Sequence, residues 1–250
     1  MRVEVIGKSD VGLVREENED TFLVREDLGL YMVADGMGGH VGGKMASNLT
    51  VETFAELIER NFNELRENSA SAPAESSPIP RILSVAVQDV CSRVFEKSVA
   101  EPELSGMGTT LTAMLVLGDR GYFAQVGDSR AYLLRGQELV QVTDDHSLVN
   151  EQVKAGLITE SQAKVSRLRN IITRSVGFEK DVSVDIFSLP LCSGDKFFLC
   201  SDGLSNVVGA AEIGGALLGY DLEAVPDRMI DLANHRGGDD NITVVCVRVV

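Results

Sequence analysis

Short apolar segments separated by tight turns constrain the fold of this chain more than any other feature of its sequence. The segments Thr21–Arg25 and Leu30–Ala34 flank the turn Glu26–Gly29 and predict a β-hairpin. Four more such segments follow at short intervals: Thr109–Leu117, Tyr122–Val126, Ala131–Leu134 and Leu139–Val142. Connections this short join antiparallel strands, because parallel strands need long crossovers. The sequence therefore predicts antiparallel sheets and not a repeated strand–helix–strand unit.

Two long helical patterns lie between the hairpin and the next strands. Gly43–Glu67 and Ile82–Val99 carry apolar residues at helical spacing, and the Pro- and Ser-rich stretch Asn68–Pro80 predicts a surface loop between them. Other helices are predicted at Ser147–Ala155, Glu160–Val165 and Leu222–His235, and other strands at Met1–Asp10, Val182–Ser188, Phe197–Cys200 and Ile242–Val249. Leu111–Leu117 and Val244–Val250 are apolar on both faces, which indicates sheets that are covered on both sides. Residues 1–250 are expected to form one domain.

Composition and charge exclude several classes of protein. The chain has 23 Lys and Arg against 38 Asp and Glu, a formal charge of −15, and such a field repels polyphosphate, so nucleic-acid binding is not expected. No apolar run approaches the ~18 residues of a membrane span, and the N-terminus lacks the apolar core of a signal peptide, so a membrane association is not expected. The four cysteines, Cys91, Cys192, Cys200 and Cys246, include no CxxC pair. This usage favours reduced thiols in a cytoplasmic protein over a zinc site or a disulfide framework.

Carboxylates recur where the predicted strands begin or end. Five residues share this position: Asp20, Asp35, Asp128, Asp202 and Asp240. A single Asp-Gly after a strand is an ordinary turn former, but several carboxylates at one edge repel each other, and a divalent cation relieves that repulsion. An all-oxygen donor set without His or Cys at ligand spacing favours Mg²⁺, Mn²⁺ or Ca²⁺ over zinc. Gly36 permits a close backbone approach, so its carbonyl is a further candidate ligand.

Eight motifs occur along the chain in an order that resembles a known enzyme family. They are GLVREENED at 12–20, VADGMGGH at 33–40, SGMGTT at 105–110, GDSRAY at 127–132, DDHSL at 144–148, RNIITRSVG at 169–177, SDGL at 201–204 and GDDNITVV at 238–245. In content and order they are similar to the motifs of the metal-dependent protein phosphatases (PPM, the type 2C serine/threonine phosphatases) in their compact bacterial form. No single motif is specific, but the set covers nearly the whole chain.

The resemblance implies a fold and a metal centre. The fold is α+β, a four-layer α-β-β-α sandwich in which two mostly antiparallel sheets are flanked by helix pairs. The centre holds two Mn²⁺ or Mg²⁺ ions per chain, with a third, weaker site. The positions that match the family's metal residues are Asp20, Asp35, Gly36, Asp128, Asp202 and Asp240, with Glu19 and Asn241 behind them.

The resemblance also implies a role for each position. Asp35 would bridge the two metals beside the Gly36 carbonyl, and Asp202 would bind one of them together with Asp240. Asp128 would contribute to the third site, again with Asp202. The acidic pair formed by Glu19 and Asp20 would hold metal-bound water.

The chemistry implied is direct hydrolysis of phosphoserine and phosphothreonine in proteins. Two cations that share a water lower its pKa toward neutrality, and the resulting hydroxide attacks phosphorus in line without a phospho-enzyme. Arg15 would grip the phosphate dianion with its planar fork of donors. The expected partners are phosphorylated substrates of a serine/threonine kinase. No oligomerisation signal is present, and a monomer is expected.

The histidines and the flap depart from the family pattern. Met37 stands where related animal enzymes place a histidine that protonates the leaving oxygen, so no general acid is assigned. His40 is close in sequence, His146 is expected to cap or brace a helix start, and His235 to lie at a helix end. A mobile flap is expected at about 145–177, where AKVSRL at 163–168 differs from the sequence that is common in the family.

Two other functions compete with this interpretation. Gly38–Met45 nearly spells a phosphate-binding P-loop, but Met45 follows Lys44 where a hydroxyl should bind Mg²⁺, and the strand spacing is antiparallel. If this segment is not a P-loop, Lys44 stands where the phosphatase family often has an acidic residue. It is then interpreted as part of a helix start. The second alternative is an inactive phosphatase relative that acts as a scaffold. The presence of every metal-site aspartate argues against it.

Overall fold

Strand pairing builds two five-stranded sheets. The computed structural model describes residues 1–39, 41–71 and 77–250. Its strands are β1 (Val3–Asp10), β2 (Thr21–Arg25), β3 (Leu30–Ala34), β4 (Gly36–Met37), β5 (Gly108–Thr109), β6 (Leu111–Leu117), β7 (Arg120–Val126), β8 (Arg130–Arg135), β9 (Glu138–Gln141), β10 (Asp185–Pro190), β11 (Lys196–Cys200) and β12 (Ile242–Val249). The first sheet has the order β10-β7-β6-β3-β2 and the second β1-β12-β11-β8-β9, while β4 and β5 form a separate ribbon. The strand pairs are antiparallel throughout these described ranges.

Helices cover the outer face of each sheet. They are α1 (Val41–Arg60), α2 (Phe62–Ser71), α3 (Ile79–Ala100), α4 (Leu148–Lys154), α5 (Glu160–Lys164), α6 (Asp202–Ser205), α7 (Ala210–Gly219) and α8 (Val225–His235). Apolar residues of α1 and α3 pack on the first sheet, and those of α7 and α8 pack on the second. The two sheets face each other across a third apolar cluster. The layers therefore follow the predicted order α-β-β-α.

Alternation along the strands assigns each side chain to a layer. In β3, Leu30 and Met32 belong to the cluster under α1 and α3, whereas Tyr31 belongs to the cluster between the sheets. In β12, Cys246 faces the α7–α8 layer and Val245 faces the other sheet. Because successive side chains in a strand point to opposite faces, a strand that is apolar on both faces must be covered twice. The interpretation of Leu111–Leu117 and Val244–Val250 as doubly covered strands is confirmed.

Some predicted boundaries are wrong. The helix expected over Gly43–Glu67 begins at Val41 and breaks at Asn61, whose side-chain amide donates to the Leu57 carbonyl. The loop expected over Asn68–Pro80 is shorter, since α2 continues to Ser71 and α3 begins at Ile79; part of that segment lies outside the described residues. The parallel sheet that a P-loop needs is contradicted, because both neighbours of β3 run antiparallel to it.

Two other expectations concern cysteines and membranes. The four cysteines are free thiols, of which only Cys192 is exposed. Among the described residues, none of the helices combines the length and the hydrophobicity that crossing a bilayer requires.

Candidate metal centre

Strand pairing brings the predicted acidic residues to one edge of the two sheets. Thr21 of β2 pairs with Ala34 of β3, so Asp20 and Asp35 lie side by side just beyond those strands. In the other sheet, the end of β11 pairs with the starts of β12 and β8. The acidic residues just beyond these strand ends are Asp128, Asp202 and Asp240. The topology thus gathers five carboxylates that are distant in sequence.

Burial and mutual repulsion raise the pKa values of these carboxyl groups. Burial raises the pKa of Asp35 well above its ordinary value, and the charges of Asp20, Asp202, Asp128 and Asp240 add to the effect. Burial likewise raises the pKa of Asp20 to about 7 and that of Asp128 to about 8, and the charge of Asp202 contributes to both. A buried acid that would hold its proton near neutral pH is stabilised as an anion by a nearby cation.

The donor set fits a hard cation in its chemistry. The Ser201 hydroxyl donates to Asp20 Oδ2 at 2.7 Å, whereas Oδ1 of Asp20 is buried without a hydrogen-bond partner in the described structure. A buried carboxylate oxygen in that state needs a donor or a cation. Over residues 1–39, 41–71 and 77–250, no three Asp, Glu, His or Cys side chains form a ready-made metal site, so the ligand set stays a prediction.

The backbone around Asp35 is held at both ends. The Asp35 N–H donates to the Thr110 hydroxyl at 2.9 Å, and the Thr110 N–H donates to the Asp35 carbonyl at 2.9 Å. At Gly36 an added Cβ would lie 2.2 Å from the Gly43 carbonyl oxygen and 2.5 Å from that of Glu19. Only glycine fits this position, so the Asp-Gly pair here is more than a turn signal.

Arg15 lies at the rim of the cluster. Its guanidinium donates to Asp240 Oδ2 at 2.8 Å, and its side chain is half exposed. Partial burial lowers the pKa of Arg15, and the charges of Asp240, Glu19 and Asp35 more than offset that effect. The loop before Arg15 is fixed to the segment before β12, because the Leu13 N–H donates to the Gly238 carbonyl at 2.8 Å.

Glu19 and Asn241 support this edge through the backbone. The Asn241 side-chain oxygen accepts from the Glu19 N–H at 2.8 Å, and its amide donates to the carbonyls of Val11 at 2.9 Å and Glu17 at 3.0 Å. The buried Glu19 side chain approaches Gly43 in α1. Asn241 thereby ties the acidic loop to the start of β12.

His146 has a role that the sequence did not reveal. The N-cap of α4 is Ser147, so of the two predicted roles of His146, capping and bracing a helix start, capping is wrong. The ring of His146 is buried, and its Nδ1 accepts from the Gly127 N–H at 3.1 Å, while the His146 N–H donates to the Gly127 carbonyl at 2.9 Å. Its Nε2 lies 3.2 Å from Asp185 Oδ2. His146 therefore stabilises the turn that carries Asp128 by contacting both backbone groups of Gly127.

The remaining residues discussed in the sequence analysis are not part of the carboxylate cluster. Met37 pairs with Gly108 in the β4–β5 ribbon, and Lys44 is exposed in the first turn of α1, consistent with its interpretation as part of a helix start. His235 ends α8, as predicted. The prediction for His40 falls outside the described residues.

The segment predicted as a flap contains α4 and α5 beside the cluster. It is joined to the rest of the molecule by the bridges between Ser147 and Ile172 and between Thr109 and Val176. Among the described residues, α5 contributes no buried side chain, so the outer part of the segment packs little against the sheets.

Comparison with known proteins extends this description. The family model for protein phosphatase 2C matches residues 14–239. The chain is 38% identical over 244 residues to the serine/threonine phosphatase stp of Listeria monocytogenes, which covers 96% of this chain and 93% of the relative.

Solved structures with similar folds belong to the same family. The serine/threonine phosphatase PstP/Ppp of Mycobacterium tuberculosis has a TM-score of 0.87 and 36% identity, with 99% of this chain and 98% of that chain covered. A catalytic domain of PstP in complex with two manganese ions has a TM-score of 0.83 and 36% identity, with 99% and 98% covered.

Proposed function

Because this chain belongs to the protein phosphatase 2C family and is a protein serine/threonine phosphatase, we propose that its strand-end carboxylates hold the divalent cations of the active site. The observation that carries the proposal is the set of buried carboxyl groups with raised pKa values beside Arg15. Phosphoserine and phosphothreonine side chains of proteins are the substrates. Two manganese or magnesium ions are the proposed cofactors, which agrees with the two manganese ions in the related PstP structure.

The proposed ligands keep the roles that the resemblance implied. Asp35 would hold both cations with the Gly36 carbonyl beside it, and Asp202 and Asp240 would hold one of them. When bound, the cations supply an activated water as the nucleophile and offset the charge of the phosphate.

The other residues at the edge orient the reactants. Asp20, with Glu19 behind it, would orient water at the cations, and its position is supported by the hydrogen bond from Ser201. Asp128 and Asp202 would hold a third cation more weakly. Asn241 acts through the backbone that carries Glu19.

Arg15 is proposed to bind the substrate phosphate. Its ion pair with Asp240 holds the guanidinium at the rim while leaving the side chain half exposed to solvent. A planar guanidinium donates two parallel hydrogen bonds to two phosphate oxygens. Asp240 thus couples the phosphate-binding side chain to the proposed metal ligands.

The proposed setting is a single catalytic domain that spans residues 1–250 and acts as a monomer on substrates of a serine/threonine kinase. The continuous layering of both sheets and both helix layers supports one domain. The buried free thiols of Cys91, Cys200 and Cys246 support a reducing, cytoplasmic location.

Hydrolysis of p-nitrophenyl phosphate and of a phosphothreonine peptide, with and without Mn²⁺, tests the proposal. Asp35→Asn and Asp202→Asn each remove a charged ligand, and kcat/KM should fall by at least the roughly 100-fold that loss of an outer partner of a metal ligand can cost. Asp89→Asn on the exposed face of α3 is the matched control and should retain activity. Near-normal turnover of both site variants would contradict the proposed centre. Absence of any metal-dependent turnover in the unaltered chain would favour the scaffold alternative.

A further inference from the structure

A cavity of about 660 Å³ opens from the carboxylate cluster toward the α4–α5 segment. Asp128 and Asp202 line one end of it, and α4, α5 and the segment from Ser205 to the start of α7 form the walls. Its size is in the range of sites that bind small ligands or short peptide segments. A substrate phosphate held at the cluster would therefore leave the neighbouring residues of its own chain at this cavity.

The cavity wall has five acidic side chains and three basic ones, and two of the basic ones lie on its α5 side. The protein carries a formal charge of −15, yet Lys164 and Arg169 both line the cavity on its α5 side. Neither side chain makes an ion pair in the part of the chain that the structure describes, although Glu160 shares the wall.

Three other charged groups at this wall are paired, Asp128 and Asp202 belong to the proposed metal centre, and Glu160 makes no ion pair within the described residues. Arg130 forms a hydrogen-bonded ion pair with Asp145 at 2.6 Å, and Asp144 pairs with Lys154 at 3.0 Å. Within each pair the two opposite charges neutralise each other. The two cations without a protein partner are therefore the groups available to an incoming anion.

From this arrangement we infer that the cavity binds the substrate residues next to the phosphorylated one, and that Lys164 and Arg169 select acidic side chains there. The inference rests on the proposed phosphatase site, because it places the phosphate at the carboxylate cluster. A carboxylate that reaches the wall would complete an ion pair for either cation, whereas a lysine at the same place would meet like charges. The specificity determinant is thus the charge of the α5 side of the cavity.

Arg167 supplies a matched control in the same segment. It is exposed, it lies between the two cavity residues in sequence, and it does not line the cavity. Arg167→Glu changes the charge of the segment by the same amount as either cavity substitution. An effect of the overall charge of the segment is therefore separable from an effect of the cavity wall.

The test measures kcat/KM for three phosphothreonine peptides with glutamate, glutamine or lysine residues flanking the phosphothreonine. Each rate is divided by the same enzyme's rate on p-nitrophenyl phosphate, which has no flanking residues. The unaltered protein should prefer the glutamate peptide to the lysine peptide by roughly three- to tenfold, as expected for two partly exposed ion pairs. Lys164→Glu and Arg169→Glu should each weaken this preference, Arg167→Glu should preserve it, and 0.5 M NaCl should weaken it. The double variant Lys164→Glu/Arg169→Glu should invert the order.

Several outcomes would overturn the inference. Equal normalised rates for the three peptides would do so, as would an equal loss of preference in Arg167→Glu and in the two single cavity variants. Both results require turnover of p-nitrophenyl phosphate, so they leave the proposed active site intact. Loss of all metal-dependent turnover in the unaltered protein would instead contradict the proposed function.

Discussion

At the scale of single residues, the candidate site could be predicted because several aspartates recur at the ends of predicted strands, although a single one there is an ordinary turn former. Asp35 and Asp202 were found by their position after apolar strands and before glycine. The support from His146 could not be predicted in the same way, because its contact with Gly127 joins residues 19 positions apart through a folded turn. A lone histidine in Asp-Asp-His-Ser carries no signal for that partner.

Two substitutions at His146 separate the contact of Nδ1 with Gly127 from the contacts of Nε2 with Asp185 and Arg174. The side-chain oxygen of Asn reaches the position of Nδ1 and can accept from the Gly127 N–H, whereas the side chain of Gln reaches toward Asp185 and leaves that N–H unpaired. An unpaired buried donor costs about 1–3 kcal/mol. His146→Gln should therefore lower the free energy of unfolding by about this amount, and His146→Asn by clearly less. Urea unfolding measures both values.

The same pair of variants reports on the Asp128 turn. If the contact between His146 and Gly127 positions Asp128, the Mn²⁺ concentration for half-maximal activity should rise more in His146→Gln than in His146→Asn. Equal stability and equal Mn²⁺ dependence in the two variants would show that the Gly127 contact has no special role.

At the scale of secondary-structure elements, strand prediction succeeded where short turns and alternation agreed. The hairpin of β2 and β3 and the strand β12 have their predicted bounds. Helix α7 was missed because its sequence, AAEIGGALLG, contains three glycines, each of which lowers helix propensity. Packing of Ile213 and Leu217 on the second sheet stabilises this helix, and that contact is not visible in the local sequence.

The return of the flap segment to α3 depends on a glycine that packs against a buried valine. Gly177 has a φ of 86°, and an added Cβ would lie 2.1 Å from Val94 Cγ1. Gly177→Ala should therefore destabilise the protein by about 1–3 kcal/mol through overpacking and backbone strain.

A double-mutant cycle identifies the cause of that loss. A Val94→Ala background removes the contact with Cγ1 at 2.1 Å but keeps Cβ at 2.7 Å and the positive φ, so adding Gly177→Ala should cost less than it does in the unaltered protein without becoming free of cost. Thermal or urea unfolding of the four proteins measures the coupling. Strictly additive costs would mean that the contact between Val94 and residue 177 does not limit the packing.

At the scale of the whole molecule, the two sheets serve to hold like charges together. Burial brings Asp20, Asp35 and Asp128 into a setting where ionisation is unfavourable, so the folded state opposes the charge that the proposed reaction needs. The fold tolerates the unfavourable free energy of ionising these buried groups because the apolar clusters above, between and below the sheets fix the positions of the strand ends. Sequence reasoning could place the carboxylates at strand ends, but their burial depends on the layers around them.

The raised pKa values of the buried carboxyl groups predict how the stability of the protein depends on pH and on metal. Each of these acids has a folded-state pKa above its unfolded value, so its stabilising contribution is present at low pH and is lost as the pH rises through about 7 for Asp20 and about 8 for Asp128. In a chelator, the melting temperature should therefore fall as the pH is raised from 6 to 9. Mn²⁺ at about 100 times its Kd should add roughly 2.7 kcal/mol of stability, and its effect should grow with pH because protons no longer compete for the ligands.

Differential scanning fluorimetry of the chelated and Mn²⁺-loaded protein across this pH range checks the prediction. Asp128→Asn removes one of the titrating groups, so in chelator its melting temperature should depend less steeply on pH, whereas Asp89→Asn should follow the unaltered protein. A chelated melting temperature that stays level or rises from pH 6 to 9, together with a Mn²⁺ effect that does not change with pH, would mean that the carboxyl groups do not form the repelling cluster on which the proposed metal centre depends.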